Sequence, residues 1–198
     1  MCHRVTPLLF DELEYALHEL DSIGRARMPR RDPGTSAADA YPGTQLPLII
    51  PGEQGFEPVQ LTWGFETQQE GRPRLVFNTR IETALSQART GRGLWAGPIT
   101  RGRCLVPVRA FYESWTIEPP RRGAQLRFLV PGHTVFLLAG VFEDDRFSVV
   151  TTRPNASVSP FHSRMPLVLA PGESSVWLGP DFASLADRSR IELAFEEA

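Results

Sequence analysis

The stretch RCLVPVRAFYESW, residues 103–115, decides the fold class, because the β-branched and aromatic residues that dominate it are typical of strands. Pro107 lacks a backbone N–H, so we expect this strand to lie at a sheet edge or to contain a bulge. Other segments have the same character, and several end at Pro-Gly or Asp-Asp turns. The further predicted strands are residues 46–50, 58–65, 74–80, 125–130, 135–142, 146–152 and 165–170.

Few segments have the spacing of a helix. Residues 8–23 repeat apolar side chains every three or four positions, and residues 81–88 predict a second, short helix. Residues 24–43 are rich in Arg, Pro, Gly and Ser and predict a long loop. Helical turns are predicted near the C-terminus. The pattern therefore predicts a β-rich α+β fold of mostly antiparallel short strands, barrel-like, with a few flanking helices, in a single domain over residues 1–198.

The composition is that of an ordinary globular protein, with 41% hydrophobic and 22% charged residues. The first residues lack the basic start and apolar run that are typical of a signal peptide. No apolar stretch approaches the ~20 residues that a membrane helix needs. The two cysteines, Cys2 and Cys104, give no disulfide framework. We therefore expect a cytoplasmic protein in a reducing compartment, without a membrane partner.

Charge is unevenly distributed along the chain. All 21 basic residues are Arg, and the segment between Arg72 and Arg127 is strongly positive, while both ends of the chain are acidic. This pattern suggests a phosphate-contacting surface, because the guanidinium group pairs bidentately with phosphate oxygens. Dispersed, solvated arginines explain the charge equally well.

Cys2 has a special chemistry if Met1 is removed, because its thiol and its free α-amine can then react with one aldehyde. The amine forms an imine and the thiol closes a five-membered thiazolidine, which its high effective concentration favours. Since the chain has no Lys, only this amine, with a pKa of about 7.7–8.0, is available for a Schiff base. An N-terminal Cys without a role remains the alternative.

Three further segments carry candidate reactive residues. Asn78 and Arg80 lie at a strand end, where both side chains can point to one face. They either bind oxygen and phosphate or belong to a helix-capping turn. Glu113 stands between Tyr112 and Trp115, where burial would raise its pKa; the alternative is an exposed side chain on the outer strand face.

His162 lies in the cluster FHSRMP, and its imidazole titrates near neutral pH unless it has a purely structural role. Trp63, followed by Gly64, offers either a stacking platform for a base or a core side chain. Two Cys and four scattered His have no metal-ligand spacing, so we expect neither a metal nor another cofactor.

Taken in order, these motifs resemble the SOS response-associated peptidase (SRAP) family, whose members cross-link covalently to abasic sites in single-stranded DNA. Family members commonly have Gly at the third position, where this chain has His3. The resemblance spans nearly the whole chain. The matching stretches are MC with Arg4, YPGT (41–44), WGF (63–65), NTRIET (78–83), RCLVPVRAFYESW (103–115), SVVTTRPN (148–155) and FHSRMPLVL (161–169).

The resemblance implies that Cys2 is the nucleophile, that Glu113 transfers protons, and that Asn78 and His162 hold the sugar oxygens. It also implies release of the initiator Met1 by the protein itself and, in some members, a strand-cleaving lyase activity. The cross-linked protein would shield the lesion, act as a monomer and associate with the nucleoid. We accordingly expect an exposed terminal amino-thiol in an arginine-lined groove.

The resemblance also implies the contacts to DNA. Arg4, Arg80 and Arg164 would bind phosphates, and four further residues would shape the path of the strand. Those four are Trp63, Gly64, Met165 and Pro166. Two other functions remain open: a cysteine peptidase that uses Cys2 and His162 as a dyad, and a non-covalent single-strand binder that relies on arginine and Trp63.

Overall fold

The computed structural model describes residues 2–13, 38–53 and 55–198, and strands dominate this part of the chain. The strands are β1 (Arg4–Pro7), β2 (Gln45–Gly52), β3 (Gly55–Trp63), β4 (Phe65–Gln69), β5 (Arg72–Val76), β6 (Asn78–Arg80), β7 (Arg103–Ser114), β8 (Gln125–Leu129), β9 (Phe136–Glu143), β10 (Arg146–Thr152), β11 (Met165–Pro166), β12 (Val168–Leu169) and β13 (Ala194–Glu197). The helices are α1 (Ile81–Thr90), α2 (Ala96–Arg101), α3 (Ser174–Leu178) and a 3₁₀ helix (Phe182–Ala186).

The main sheet closes on itself like a barrel. β7 pairs with β9, β9 with β10, β10 with β3, β3 with β2, and β2 returns to β7. β1 joins β7 at one end, β6 and β11 join β10, and β8 with β13 extends from β7. Most pairs are antiparallel, while β10 pairs in parallel with β3 and β6. The predicted fold class, a β-rich α+β barrel-like domain with few helices, is confirmed.

β7 pairs with β1, β2, β8 and β9; of the two predicted alternatives for this strand, a sheet edge or a bulge, the bulge is found and the edge position is not. Pro107 pairs with Leu137 of β9, and β7 has partners on both sides. On the other side of Pro107 the partner changes from β2, at Leu105, to β1, at Val108. Pro107, which has no backbone N–H, therefore lies at the gap between the two series of backbone hydrogen bonds that β7 forms with β2 and with β1. The register against β1 shifts just beyond, opposite Val108, so the expected irregularity is present.

Several local predictions hold with changed bounds. The helix predicted over residues 81–88 is α1, which ends at Gly91 with the left-handed φ of 65°. The predicted Asp-Asp turn joins β9 to β10. The predicted strand 58–65 is divided at Gly64, where φ is +116°. Residues 10–13 are helical, but the rest of the helix predicted over 8–23 lies outside the described residues, as does most of the 24–43 loop.

The core has two parts because side chains alternate along β7. Val106 and Val108 point into a cluster inside the ring of strands, and that cluster also contains Cys2. Leu105 points to the other face, where a second cluster includes apolar residues of the helices. In the described part of the chain, no helix is both long enough and apolar enough to cross a bilayer. The N-terminal cysteine is thus packed at the inner cluster of the sheet.

Candidate functional site

The sheet brings together the four residues expected to react. Cys2 lies two residues before β1, Glu113 lies near the end of β7, Asn78 begins β6, and His162 precedes β11. β1 pairs with β7, and both β6 and β11 pair with β10, so distant parts of the chain converge. All four residues are buried.

Cys2 is the centre of this group. Asn78 Nδ2 donates a hydrogen bond of 2.7 Å to the backbone oxygen of Cys2. The backbone N–H of Cys2 lies close enough to the carboxyl group of Glu113 to lower its pKa. The Cys2 thiol lies 3.6 Å from the backbone oxygen of Arg4. The nitrogen that would become the α-amine after loss of Met1 is therefore adjacent to a carboxyl group.

Glu113 is fully buried, so the alternative of an exposed strand residue is wrong. Burial raises the pKa of Glu113 from 4.5 to about 7, although the nearby backbone N–H of Cys2 acts in the opposite direction. A carboxyl group with this pKa can both donate and accept a proton near neutrality.

His162 is oriented by the backbone that follows it. Its Nδ1 lies 2.8 Å from the backbone oxygen of Arg164 and 3.4 Å from Oε2 of Glu113. The backbone N–H of Arg164 lies 3.2 Å from the same Nδ1, so this nitrogen has a donor as well as acceptors beside it. Burial lowers the pKa of His162, which favours the neutral imidazole.

The expected exposure of Cys2 is not found. The residue is 0% exposed, and burial, together with the negative charge of Glu113, raises the pKa of the thiol. The amino-thiol therefore lies within the protein rather than on an open groove. Asn78 Oδ1 is also buried, and within the described residues no donor reaches it.

Four residues expected to contact DNA are buried, and this corrects the prediction. Trp63 is 0% exposed, stacks on Phe147 and donates its indole N–H to the backbone oxygen of Phe77 at 2.8 Å. Trp63 is thus a core side chain and presents no surface for a base. Gly64, Met165 and Pro166 are buried as well, because they lie within or beside paired strands.

The three arginines expected at phosphates have different environments. Arg80 is exposed and immediately precedes α1. Arg164 is held by Glu82, with N–O distances of 2.7 and 3.0 Å, and donates to the backbone oxygen of Thr151. Arg4 pairs with Asp39 at 2.6 Å. Of these three, Arg80 alone has no ion-pair partner among the described residues, so it is open to a ligand without exchange of a partner.

Sequence reasoning missed the polar residues that fix the N-terminal segment. Arg4 donates to Gln125 Oε1 at 2.6 Å, so the amide nitrogen of Gln125 faces His3 Nε2 at 3.1 Å. Since an amide nitrogen only donates, His3 accepts through Nε2. Asp39 accepts hydrogen bonds from Arg4 and Thr6. Nothing in the local sequence indicates these contacts, since they depend on the register between strands.

The part of the chain that the structure describes contains no group of three or more His, Cys, Asp and Glu that could hold a metal ion.

The family model for SOS response associated peptidase (SRAP) matches residues 1–196, and so includes all four converging residues. The chain belongs to the SRAP family. Two Bordetella bronchiseptica crystal structures, one of them of a phage-related protein, match the whole chain with TM-scores of 0.65 and 0.68. The matches cover 94% and 99% of those two chains at 19% identity. At this identity they show only that the fold is shared.

Curated relatives of this SRAP chain come from Bacillus subtilis (strain 168). Abasic site processing protein YoqW is 29% identical over 114 residues, and Abasic site processing protein YoaM is 27% identical over the same length. Each alignment covers 53% of this chain and 48% of the relative. The chain therefore spans about half the length of the curated relatives that it matches.

Proposed function

We propose that this SRAP protein processes abasic sites by binding single-stranded DNA as a monomer and forming a thiazolidine cross-link through Cys2 after removal of Met1. Family membership and the names of the curated relatives support the abasic lesion as the target. The observation that supports the chemistry is the joint burial of the site: Asn78 Nδ2 donates to the backbone oxygen of Cys2 at 2.7 Å, and His162 Nδ1 lies 3.4 Å from Oε2 of Glu113.

The proposed reaction releases one molecule of water. An abasic sugar in its ring-opened form carries an aldehyde at C1, which the α-amine of Cys2 attacks. The carbinolamine loses water to give an imine, and the thiol then adds its sulfur to the imine carbon and its proton to the nitrogen. Ring closure is favoured because both nucleophiles belong to one residue.

Glu113 is suited to the proton transfers in this sequence. Its pKa of about 7 allows the acid to protonate the departing hydroxyl and the carboxylate to take a proton from the attacking amine. His162, 3.4 Å from Glu113, would exchange that proton or hold a sugar hydroxyl. Asn78 Oδ1 would accept a hydrogen bond from the sugar, which would satisfy a buried acceptor.

The same contact supports self-processing. Cleavage of the Met1–Cys2 bond consumes one water, releases methionine and leaves the Cys2 nitrogen as the amine. Glu113 lies close to that nitrogen and would protonate it as the bond breaks. A later lyase step would require the imine rather than the closed ring, because only the imine activates the neighbouring C–H bond.

A denaturing gel tests the proposal. Protein with confirmed loss of Met1 is mixed with a single-stranded oligonucleotide that carries one abasic site, and we expect a shifted band that survives denaturation. Cys2→Ala should abolish this band, whereas Cys104→Ala should retain it, because Cys104 is a buried core residue of β7.

A tag fused before Cys2 should also abolish the band, since the amine is then an amide. The same yield from Cys2→Ala and wild type would exclude the proposal. Salt-sensitive DNA binding without any covalent band would favour the non-covalent binder, and cleavage of unrelated peptides by tagged protein would favour the peptidase.

A further inference from the structure

A chain of four polar side chains holds the residue that follows Cys2. Asp39 accepts a hydrogen bond of 2.7 Å from Nε of Arg4, and Nη1 of Arg4 donates one of 2.6 Å to Oε1 of Gln125. The amide nitrogen of Gln125 lies 3.1 Å from Nε2 of His3. These four residues, here called the anchor chain, join the segment before β1 to the first residue of β8.

Arg4 fixes the direction of the hydrogen bonds in the anchor chain. A guanidinium group only donates, so the oxygen of the Gln125 amide points to Arg4 and its nitrogen points to His3. The amide nitrogen also only donates, so Nε2 of His3 must offer a lone pair. A proton on Nε2 would set two donors against each other. The anchor chain is therefore complete only while the His3 imidazole is neutral.

The anchor chain lies on the face of the sheet that is turned away from Glu113. Arg4 is opposite Tyr112, and Gln125 is opposite Ser114, in the paired strands. Tyr112 and Ser114 flank Glu113 in β7, and successive side chains of a strand point to opposite faces. The side chains of Arg4 and Gln125 are thus placed to hold the backbone rather than to react.

Cys2 is consequently held at two points. Its backbone oxygen accepts a hydrogen bond of 2.7 Å from Asn78, and the next residue, His3, is held by Gln125. His3 is the single residue between Cys2 and β1. Once Met1 is removed, Cys2 is a chain end, and chain ends move freely unless they are tied down.

We propose, on the basis of the proposed function, that His3 is a positioning residue for the cross-linking reaction: its neutral ring, held by Gln125, keeps the amine and thiol of Cys2 beside Glu113. The His3 ring acts through the backbone and takes no part in the chemistry. A nucleophile held in place has a higher effective concentration toward the sugar aldehyde, so loss of the anchor slows the reaction.

Other groups in this region also titrate or carry charge. A rate measured at one pH therefore reports on several groups, but a ratio between wild type and a variant changed only at His3 removes what the two proteins share. The shared groups are Arg4 and Asp39 of the anchor chain, Glu113 and His162 of the site, and the Cys2 amine.

Cross-linking rates of Met1-free protein with an abasic single-stranded oligonucleotide test this role. At pH 8, His3→Phe keeps a flat ring without an acceptor and should react about three- to tenfold more slowly than wild type, the effect of one net hydrogen bond. His3→Gln should react at about the wild-type rate, because its amide oxygen can accept from Gln125. The control is His133→Gln, on the turn before β9, which should match wild type at every pH.

The pH dependence separates the hydrogen bond from the bulk of the ring. Histidine gains a proton on acidification below neutrality, which opens the anchor in wild type, whereas glutamine has no proton to gain. The rate of His3→Gln divided by that of wild type should therefore be near 1 at pH 8 and at least threefold higher at pH 5.5. When both proteins also carry Gln125→Leu, this rise should disappear, since the partner of His3 is gone.

Thiol reactivity gives a second measurement that needs no DNA. In Met1-free Cys104→Ala protein at pH 8, Cys2 should react with an aromatic disulfide at least threefold faster when His3→Phe is added, and at an unchanged rate when His3→Gln is added. Equal thiol and cross-linking rates for His3→Phe and its parent, or a His3→Gln ratio that does not change with pH, would overturn the inference. Absence of cross-linking in wild type, with the expected thiol rates, would instead overturn the proposed function.

Discussion

At the scale of single residues, Glu113 shows how the fold creates chemistry from an ordinary carboxyl group. In water its acid would be ionised at neutral pH, but in the interior it is poised near pH 7 beside the Cys2 nitrogen. His162 is kept neutral by the same burial. Glu113 and His162 can therefore exchange a proton near neutral pH, because the pKa of the carboxyl group is raised and that of the imidazole is lowered.

Glu113 should also leave a signature in protein stability. Its pKa is higher in the folded than in the unfolded chain, so its contribution is fully present below pH 4.5 and is lost as the pH rises to about 7. The shift corresponds to about 3 kcal/mol. Between pH 5 and pH 8 the free energy of unfolding of wild type should fall by most of this amount relative to that of Glu113→Gln, and urea unfolding of both proteins measures the difference. Parallel pH profiles of the two proteins would contradict the burial argument.

At the scale of elements, the junction between β3 and β4 holds the inner core in place. Trp63 ends β3 and is fixed by Phe77 and Phe147, and Gly64 then turns the chain at φ +116°. A Cβ at Gly64 would lie 2.7 Å from Cγ of Leu75. The sequence WGF therefore packs the core and turns the chain between β3 and β4, and it offers no stacking surface for DNA.

Gly64→Ala should accordingly destabilise the protein more than Gly71→Ala. Both glycines have positive φ, which costs a non-glycine residue about 1–2 kcal/mol. At Gly71 no atom lies within 4 Å of the added Cβ, whereas at Gly64 the overlap with Leu75 adds about 1–3 kcal/mol. Urea unfolding of both variants measures the difference. Equal losses would mean that Leu75 moves aside freely.

Local patterns predict the strands well because alternation and turn residues act over a few positions. Motif order also predicts Cys2, Asn78, Glu113 and His162, which the sheet brings together. The sequence leaves Trp63 open between a stacking platform and a core side chain, and it misses the burial of Met165, because an aromatic or apolar side chain in a short strand has the same local pattern on either face. The central place of Pro107 and the parallel pairs of β10 depend on long-range pairing, which local sequence does not specify.

At the scale of the whole molecule, the acidic ends of the chain neutralise its basic middle. Glu12 pairs with Arg109, Glu196 with Arg127, and Glu197 with Arg121. The positive segment seen in the sequence is thus partly covered in the folded protein. DNA would have to exchange with these carboxylates, which makes binding dependent on salt.

The closed site has a consequence for thiol reactivity. Cys2 and Cys104 are both 0% exposed, so in folded protein that retains Met1 neither should react readily with an aromatic disulfide reagent. In Cys104→Ala the remaining signal comes from Cys2 alone, and we expect it to appear at least tenfold more slowly than in denaturant. Reaction at the denatured rate would show that Cys2 is open in the folded state.

The central claim is that the amine and the thiol of Cys2 together close a ring on the sugar aldehyde. Intact mass spectrometry of the Met1-free protein with an abasic oligonucleotide tests this most directly. We predict a mass equal to protein plus oligonucleotide minus one water, unchanged by borohydride because the closed ring contains no reducible imine. Masses of the separate components alone, or an adduct that gains two hydrogens with borohydride, would contradict the account.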